Sequence, residues 1–268
     1  MAAVPQEFRH SPQTLAGVAK SLLLYLVELA VFLTLFVGYF MLRGLPPDRV
    51  ALSTANAVDI IDFERRLGVF WEAAWQRAAI DHDLLMDAAN FTYLNLHLPL
   101  LAVLGFGFFH NSVRKYRVLR NALLLSALIG VPFYILYPVT PPRLLLQAGV
   151  DYGFRDTLEG MRGSKPGAMT NWYAAVPSYH FGWILLATIG VWWSWRWWPA
   201  RVAAVIFLGW MWYSIVVTAN HYFLDMVLGG AIVTACLAIA YQWELWTERH
   251  PAGVRRWFPH IREMRLPF

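Results

Sequence analysis

The sequence predicts an all-α polytopic membrane protein: a bundle of six transmembrane helices with amphipathic surface helices in the first outer loop. Three observations carry that expectation. Of 268 residues, 58% are hydrophobic and 15% charged, with a mean hydropathy of +0.44. A soluble domain is roughly 45–50% apolar and about 25% charged. Apolar stretches near the length of a bilayer crossing, about 20 residues, recur six times. The basic residues concentrate in alternate connections between those stretches. Together these exclude a soluble globular domain, a disordered chain and a coiled coil. The formal net charge of +5 belongs to membrane-flanking loops and implies no nucleic-acid partner. The single cysteine, Cys236, lies in an apolar run, so an intramolecular disulfide and a Cys-based metal cluster are both excluded.

The first stretch, residues 21–42, is too long for the apolar core of a signal peptide and has no small-residue cleavage site after it. It reads as a span. The others cover residues 87–109, 121–137, 179–198, 202–219 and 221–245. Between the first two, residues 44–86 repeat apolar side chains at helical spacing, which predicts one or two amphipathic helices on the outer surface. Residues 138–177 are rich in Pro, Gly and polar side chains and read as a loop or re-entrant segment. Loops of that length are usually functional. No internal repeat or low-complexity tract is visible, so residues 1–268 read as one integral membrane domain.

With the N-terminus inside, the inner segments hold Arg9, Lys20, Arg114, Lys115, Arg117, Arg120, Arg196, Arg201, Arg249, Arg255, Arg256, Arg262 and Arg265. The outer segments balance their basic residues with a run of acids from Asp48 to Glu159. The positive-inside rule therefore places both termini in the cytoplasm. Residues 1–20 form a cytoplasmic N-terminal segment and residues 246–268 a basic cytoplasmic tail. Trp192, Trp193, Trp195, Trp197 and Trp198 cluster at one inner boundary, as an interfacial aromatic belt does.

Ionisable residues within spans are costly and mark function. His180 opens a span that starts outside, and so do His221 and Asp225. Arg143 follows a span that ends outside. Groups from three separate spans thus reach one membrane face. His221 and Asp225, four residues apart, share a helix face. A carboxylate beside an imidazole fixes its tautomer and leaves the other nitrogen as nucleophile or base. His180 is placed to protonate a leaving group. Ser178 and the N–H groups of the helix start behind it make an anion cradle, and Arg143 adds a cationic fork suited to phosphate. This set suits phosphoryl transfer, where positioning and charge stabilisation supply most of the catalysis. His97, with Tyr93 one turn before it, reads as a hydrogen-bonded packing residue or outer support.

The residues Val176-Pro177-Ser178-Tyr179-His180, followed by Asn220-His221-Tyr222-Phe223-Leu224-Asp225 and Gly229-Gly230, resemble the last two motifs of the type 2 phosphatidic acid phosphatase superfamily, P-S-G-H and S-R-x5-H-x3-D. The fit is closer to the inositol phosphorylceramide synthase-like branch, with P-S-x-H and H-Y-x2-D. The Pro141-Pro142-Arg143 segment is similar to that branch as well. The resemblance covers residues 111–230. It implies a membrane enzyme acting on a lipid phosphate ester, with no cofactor or metal. His221 would form a phosphohistidine, oriented by Asp225. His180 would be the acid and then the base. Arg143, Ser178 and Tyr179 would bind the substrate phosphate, with Asn220, Tyr222, Tyr173 and His97 behind them. The substrate would be a phospholipid or polyprenyl phosphate drawn from the membrane lipids. The acceptor would be water, inositol, another sugar or a lipid alcohol. Three departures stand out. Tyr179 replaces the motif glycine, Ile215 stands where the motif has arginine, and the K-x6-R-P motif is missing.

Two other readings compete. A zinc hydrolase would use His180, His221 and Asp225 as ligands. A non-catalytic transporter or envelope scaffold would use the same intramembrane groups as a proton or substrate path.

Overall fold

The computed structural model describes residues 15–46, 48–158 and 171–250. The expected segments at 1–20 and 246–268, and the loop at 160–169, lie wholly or largely outside the described residues. Regular structure among these is helical apart from one isolated parallel bridge, Val139 to Ala174. The helices are α1 (Leu15–Gly44), α2 (Val50–Arg66), α3 (Glu72–Ala79), α4 (Asp83–Phe91), α5 (His97–Asn111), α6 (Val113–Leu136), α7 (Tyr179–Ser194), α8 (Trp198–Val217) and α9 (Phe223–Arg249).

Five helical segments are long and apolar enough to cross a membrane: Leu26–Gly44, Asp83–Asn111, Val113–Leu136, Trp198–Val217 and Phe223–Arg249. They display large apolar side chains outward, among them Val103, Phe106, Leu128, Ile206 and Val227. Surface of that kind needs an apolar solvent. The sixth expected span is α7, which at 16 residues falls short of a full crossing. It is packed among α5, α6 and α8.

Several boundaries move from the sequence expectation. The second span begins in α4, and Pro99 interrupts it. A proline lacks the N–H and crowds the carbonyl four residues back, here that of Asn95. The helix widens into a π-helical turn over Thr92–Leu96 just before it. α6 starts at Val113, well ahead of the expected 121, so Arg114, Lys115, Arg117 and Arg120 lie on the helix itself. Ser112 caps it by accepting from the Lys115 N–H.

The chain divides into two compact units, Met1–Gly38 with Trp243–Phe268, and Tyr39–Gln242. The smaller holds the start of α1 and the end of α9. Phe32 stacks on Phe36 and Trp243 on Trp246 within it. The larger holds everything described below.

Within the larger unit, the α5–α6 and α7–α8 junctions meet at one end. Lys115 Nζ donates to the Trp193 carbonyl at 2.8 Å, and Phe108 stacks on Trp195. At the other end, residues 44–86 supply two amphipathic helices, α2 and α3. The buried face of α2 runs through Ala57, Ile60 and Ile61, which join Val139, Leu145, Phe154, Val176, Ala219 and Tyr222 in one apolar cluster. That cluster ties the long loop to the α8–α9 connection. Where the sequence left residues 138–177 as loop or re-entrant segment, the described part is a loop with a single 3₁₀ turn at Pro142–Leu144. Thr140 anchors it. Its N–H donates to the Ser53 carbonyl at 3.0 Å, and its carbonyl accepts the Tyr222 hydroxyl at 2.9 Å.

Candidate active site

The site is built where α7 and α9 begin. α8 ends in a C-terminal turn in which the Ala219 N–H donates to Val216 O and the Asn220 N–H to Ile215 O. These are the paired bonds of a Schellman motif. They require a left-handed residue, and Ala219 supplies it with φ of 51°. A non-glycine there costs roughly 1–2 kcal/mol. The surrounding contacts hold it, including the Arg143 N–H on the Ala219 carbonyl at 2.8 Å.

His221 therefore sits in the connection ahead of α9, not on it, which corrects the expectation of a shared helix face. Its pairing with Asp225 is a capping geometry. Asp225 Oδ2 reaches back to accept the Tyr222 N–H at 2.9 Å, as the third helical residue of a capping box does. The same oxygen lies 3.3 Å from His221 Nδ1, and Nδ1 also meets the Ala175 carbonyl at 2.8 Å. Both partners only accept, so Nδ1 carries the proton. The lone pair is left on Nε2.

His180, in the first turn of α7, lies with its ring centroid 5.6 Å from that of His221. It rests between Tyr93, at 4.3 Å, and His97, at 4.6 Å. Tyr93 and His97, four residues apart, reach the same ring. His97 is hydrogen-bonded to the Tyr179 backbone, stacks on Trp183 and keeps a buried Nε2 with no partner. The Ser178 hydroxyl is fully buried and also lacks a partner. Each such group costs about 1–3 kcal/mol and calls for an explanation. A polar ligand at this spot supplies one.

Close backbone approach fixes the two helix starts. The Ser178 N–H donates to the Asp225 carbonyl at 3.0 Å. A Cβ at Gly229 would collide with the Ser178 carbonyl, and one at Gly182 would come within 2.9 Å of the Gly229 carbonyl. Small residues let helices approach in this way. Two buried acids from the first outer segment complete the start of α9. Glu72 Oε1 accepts the Phe223 N–H at 2.9 Å, and Glu64 Oε1 accepts the Leu224 N–H at 2.7 Å.

Other expected site residues point elsewhere. The Tyr179 ring stacks on Trp183, and its hydroxyl donates to the Ser126 carbonyl. Only its backbone faces the start of α7. Arg143 Nη1 is paired with Asp156 at 2.8 Å, and its Nε donates to Asn220 Oδ1 at 3.0 Å. Its guanidinium also lies over the Trp172 ring. Tyr222 is fully buried on Thr140, and the Tyr173 carbonyl accepts from the Val139 N–H at 2.8 Å. Among the described residues, no three His, Cys, Asp or Glu side chains are arranged to hold a metal ion.

A model of the PAP2 superfamily, the type 2 phosphatidic acid phosphatases, matches residues 58–240. The chain belongs to that superfamily. The match covers every site residue described above, from Glu64 to Asp225, and it makes the protein a membrane enzyme of the phosphatase type acting on lipid-like phosphate substrates. No curated protein and no solved structure gives a significant match.

Sequence reasoning missed Glu64, Glu72, Tyr93 and Asp156. Glu64 had a readable signal. It falls at helical spacing from Ile60 and Ile61, on the apolar face of α2, where an acid needs a partner. Tyr93 was visible one turn before His97, but nothing in the sequence placed its ring against His180.

Proposed function

We propose that this PAP2 enzyme transfers a phosphoryl group from a membrane lipid phosphate through His221. The observation that carries the reading is the pair of contacts that His221 Nδ1 makes with the Ala175 carbonyl and Asp225, with the His180 ring beside it. In the first step Nε2 attacks phosphorus, the P–O bond to the lipid or head group breaks, and His180 gives the leaving oxygen a proton. In the second step water or an alcohol attacks the phosphohistidine. His180 takes the proton of that nucleophile, and His221 Nε2 regains its lone pair. Asp225 stabilises the imidazole through both steps.

Ser178 and the first backbone N–H groups of α7 receive phosphoryl oxygens, as helix starts do. Arg143, neutralised by Asp156, holds Asn220 and so positions the turn before His221. His97 supports His180 from behind. Water as acceptor gives a lipid phosphatase. Inositol, another sugar or a lipid alcohol gives a head-group transferase of the inositol phosphorylceramide synthase-like kind. In this reading α7 is the sixth span, the termini are cytoplasmic and the site faces outward.

The test is phosphate release and head-group exchange by purified protein, over phospholipids and polyprenyl phosphates, with and without inositol. Free phosphate that is lost in His221→Ala and survives a chelator gives the phosphatase. A new phosphodiester that needs an acceptor gives the transferase. Neither signal depending on His221 would refute the reading and favour a transport or scaffold role. Loss of activity to the chelator alone favours the zinc hydrolase.

A further inference from the structure

The departures from the motif pattern leave the phosphate short of arginine, and Arg143, the expected replacement, is neutralised by Asp156. Another cation among the described residues lies in this neighbourhood. Arg43, at the end of α1, belongs to the same compact unit as the two histidines. Its guanidinium carbon lies 5.6 Å from the centre of the Tyr134 ring, and Tyr134 is joined to Tyr39 hydroxyl-to-hydroxyl at 3.2 Å. Tyr39 packs edge-on against Trp183 at 5.8 Å, and Trp183 stacks on His97 at 5.7 Å. His97 is one of the two rings that flank His180.

Arg43 is unusual in what it lacks. Its Nε is buried without a hydrogen-bond partner. No carboxylate among the described residues pairs with it, and the ring beside it is the neutral Tyr134. Its backbone carbonyl accepts the Asn171 amide at 2.9 Å, which ties the end of α1 to the segment leading into Ser178. Arg49, whose Nε is likewise buried without a partner, donates another N–H to the Ile135 carbonyl, a cap for the end of α6. Arg43 is half-buried with its Nε sealed from solvent, and a cation in such a place without a counter-ion favours the arrival of an anion. Planar N–H pairs match the oxygens of a phosphate.

We infer that Arg43 is the cation that receives the substrate phosphate beside His180 and His221. The inference rests on the phosphoryl-transfer reading for the identity of the anion. It places a binding residue ahead of residue 58, outside the region that the superfamily model matches. It also implies that the end of α1 closes the substrate site.

The test uses the full chain in detergent with inorganic phosphate as probe. Phosphate should raise the thermal midpoint of the wild type and of His221→Ala, while chloride at equal ionic strength should not. Arg43→Gln should need at least about ten-fold more phosphate for half of the effect, as befits a lost charge-assisted contact. With a soluble short-chain phosphatidate, KM should rise more than kcat falls, the pattern of a lost ground-state contact. If Arg43→Gln does not fold, Arg43→Lys decides. Losing the planar fork should raise the half-effect concentration about three-fold or more.

An unchanged concentration in either variant overturns the inference, and so does a wild type that phosphate does not stabilise. The two readings fail separately. Phosphate binding through Arg43 without His221-dependent turnover refutes the enzyme reading alone. His221-dependent turnover with wild-type phosphate binding in Arg43→Gln refutes the Arg43 assignment alone.

Discussion

An imidazole is a nucleophile only at the nitrogen that carries no proton, and at His221 that choice is made by geometry. Two acceptors face Nδ1, at 2.8 and 3.3 Å. Asp225→Asn tests how much the carboxylate adds. The amide oxygen can still accept the Tyr222 N–H, so the cap survives. What is lost is the negative charge that stabilises the imidazolium and the phosphohistidine. The expected result is a folded protein whose kcat falls about 10²-fold or more, with the loss in the rate of phosphoenzyme formation measured by rapid quench. A variant that keeps wild-type phosphoenzyme kinetics would show that the Ala175 carbonyl alone orients the ring. The His221–Asp225 spacing was legible in the sequence, but its geometry was not. The sequence suggests a helix face, whereas the pair is a cap. A left-handed Ala219 gives no sign of itself in a residue pattern, because alanine is an ordinary helix former.

At the scale of elements, the start of α9 carries the site, and its stability depends on acids from α2 and α3. Glu64 and Glu72 each spend one oxygen on a backbone N–H, and their other oxygens are buried with no donor nearby. A proton on Glu64 relieves its buried oxygen. Burial first, then the hydrogen bond and charge of Glu72, and more weakly Asp225, push the Glu64 carboxyl up to about 9. Tyr222 faces the same pair. The sign follows from linkage. A carboxyl whose folded pKa is raised binds its proton more tightly when folded. Its contribution is complete below the ordinary carboxylate range and is lost as pH rises towards the folded value. The thermal midpoint of the wild type should therefore decline between about pH 5 and 9, and Glu64→Gln, which carries its own N–H to Glu72, should flatten that decline. A variant that declines as steeply as the wild type would show that the Glu64 proton does not govern the decline. Gly229→Ala tests the contact between α7 and α9. Its methyl meets the Ser178 carbonyl, so overpacking should cost about 1–3 kcal/mol and shift Ser178 and His180 together, seen as activity lost beyond the loss of folded protein. The sequence showed glycines after the H-x3-D motif but not that their purpose is this crossing.

At the scale of the whole molecule, composition made the membrane legible, and charge suggested an orientation. The fold adds an independent fact about the larger unit. The α5–α6 and α7–α8 junctions, which carry Lys115 and Arg196, meet at one end, while Ser178, Asn220 and Arg143 gather at the other. If the basic end stays in the cytoplasm, as proposed from the charge pattern, the site lies at the outer face. The length of α7 was not legible. In the proposed six-span reading, a helix of 16 residues would carry His180, in its first turn, deeper than the ends of the longer helices. A substrate phosphate at that depth arrives most directly from the bilayer, with its acyl or prenyl chain still among lipids. Orientation is testable with engineered cysteines, since Cys236 is fully buried and should stay silent. Asp81→Cys, in the exposed connection between α3 and α4, should react with an impermeant maleimide on intact cells. Arg196→Cys, exposed between α7 and α8, should react only after the cells are permeabilised. The opposite pattern would turn the site to the cytoplasm and make an intracellular phosphate ester its substrate.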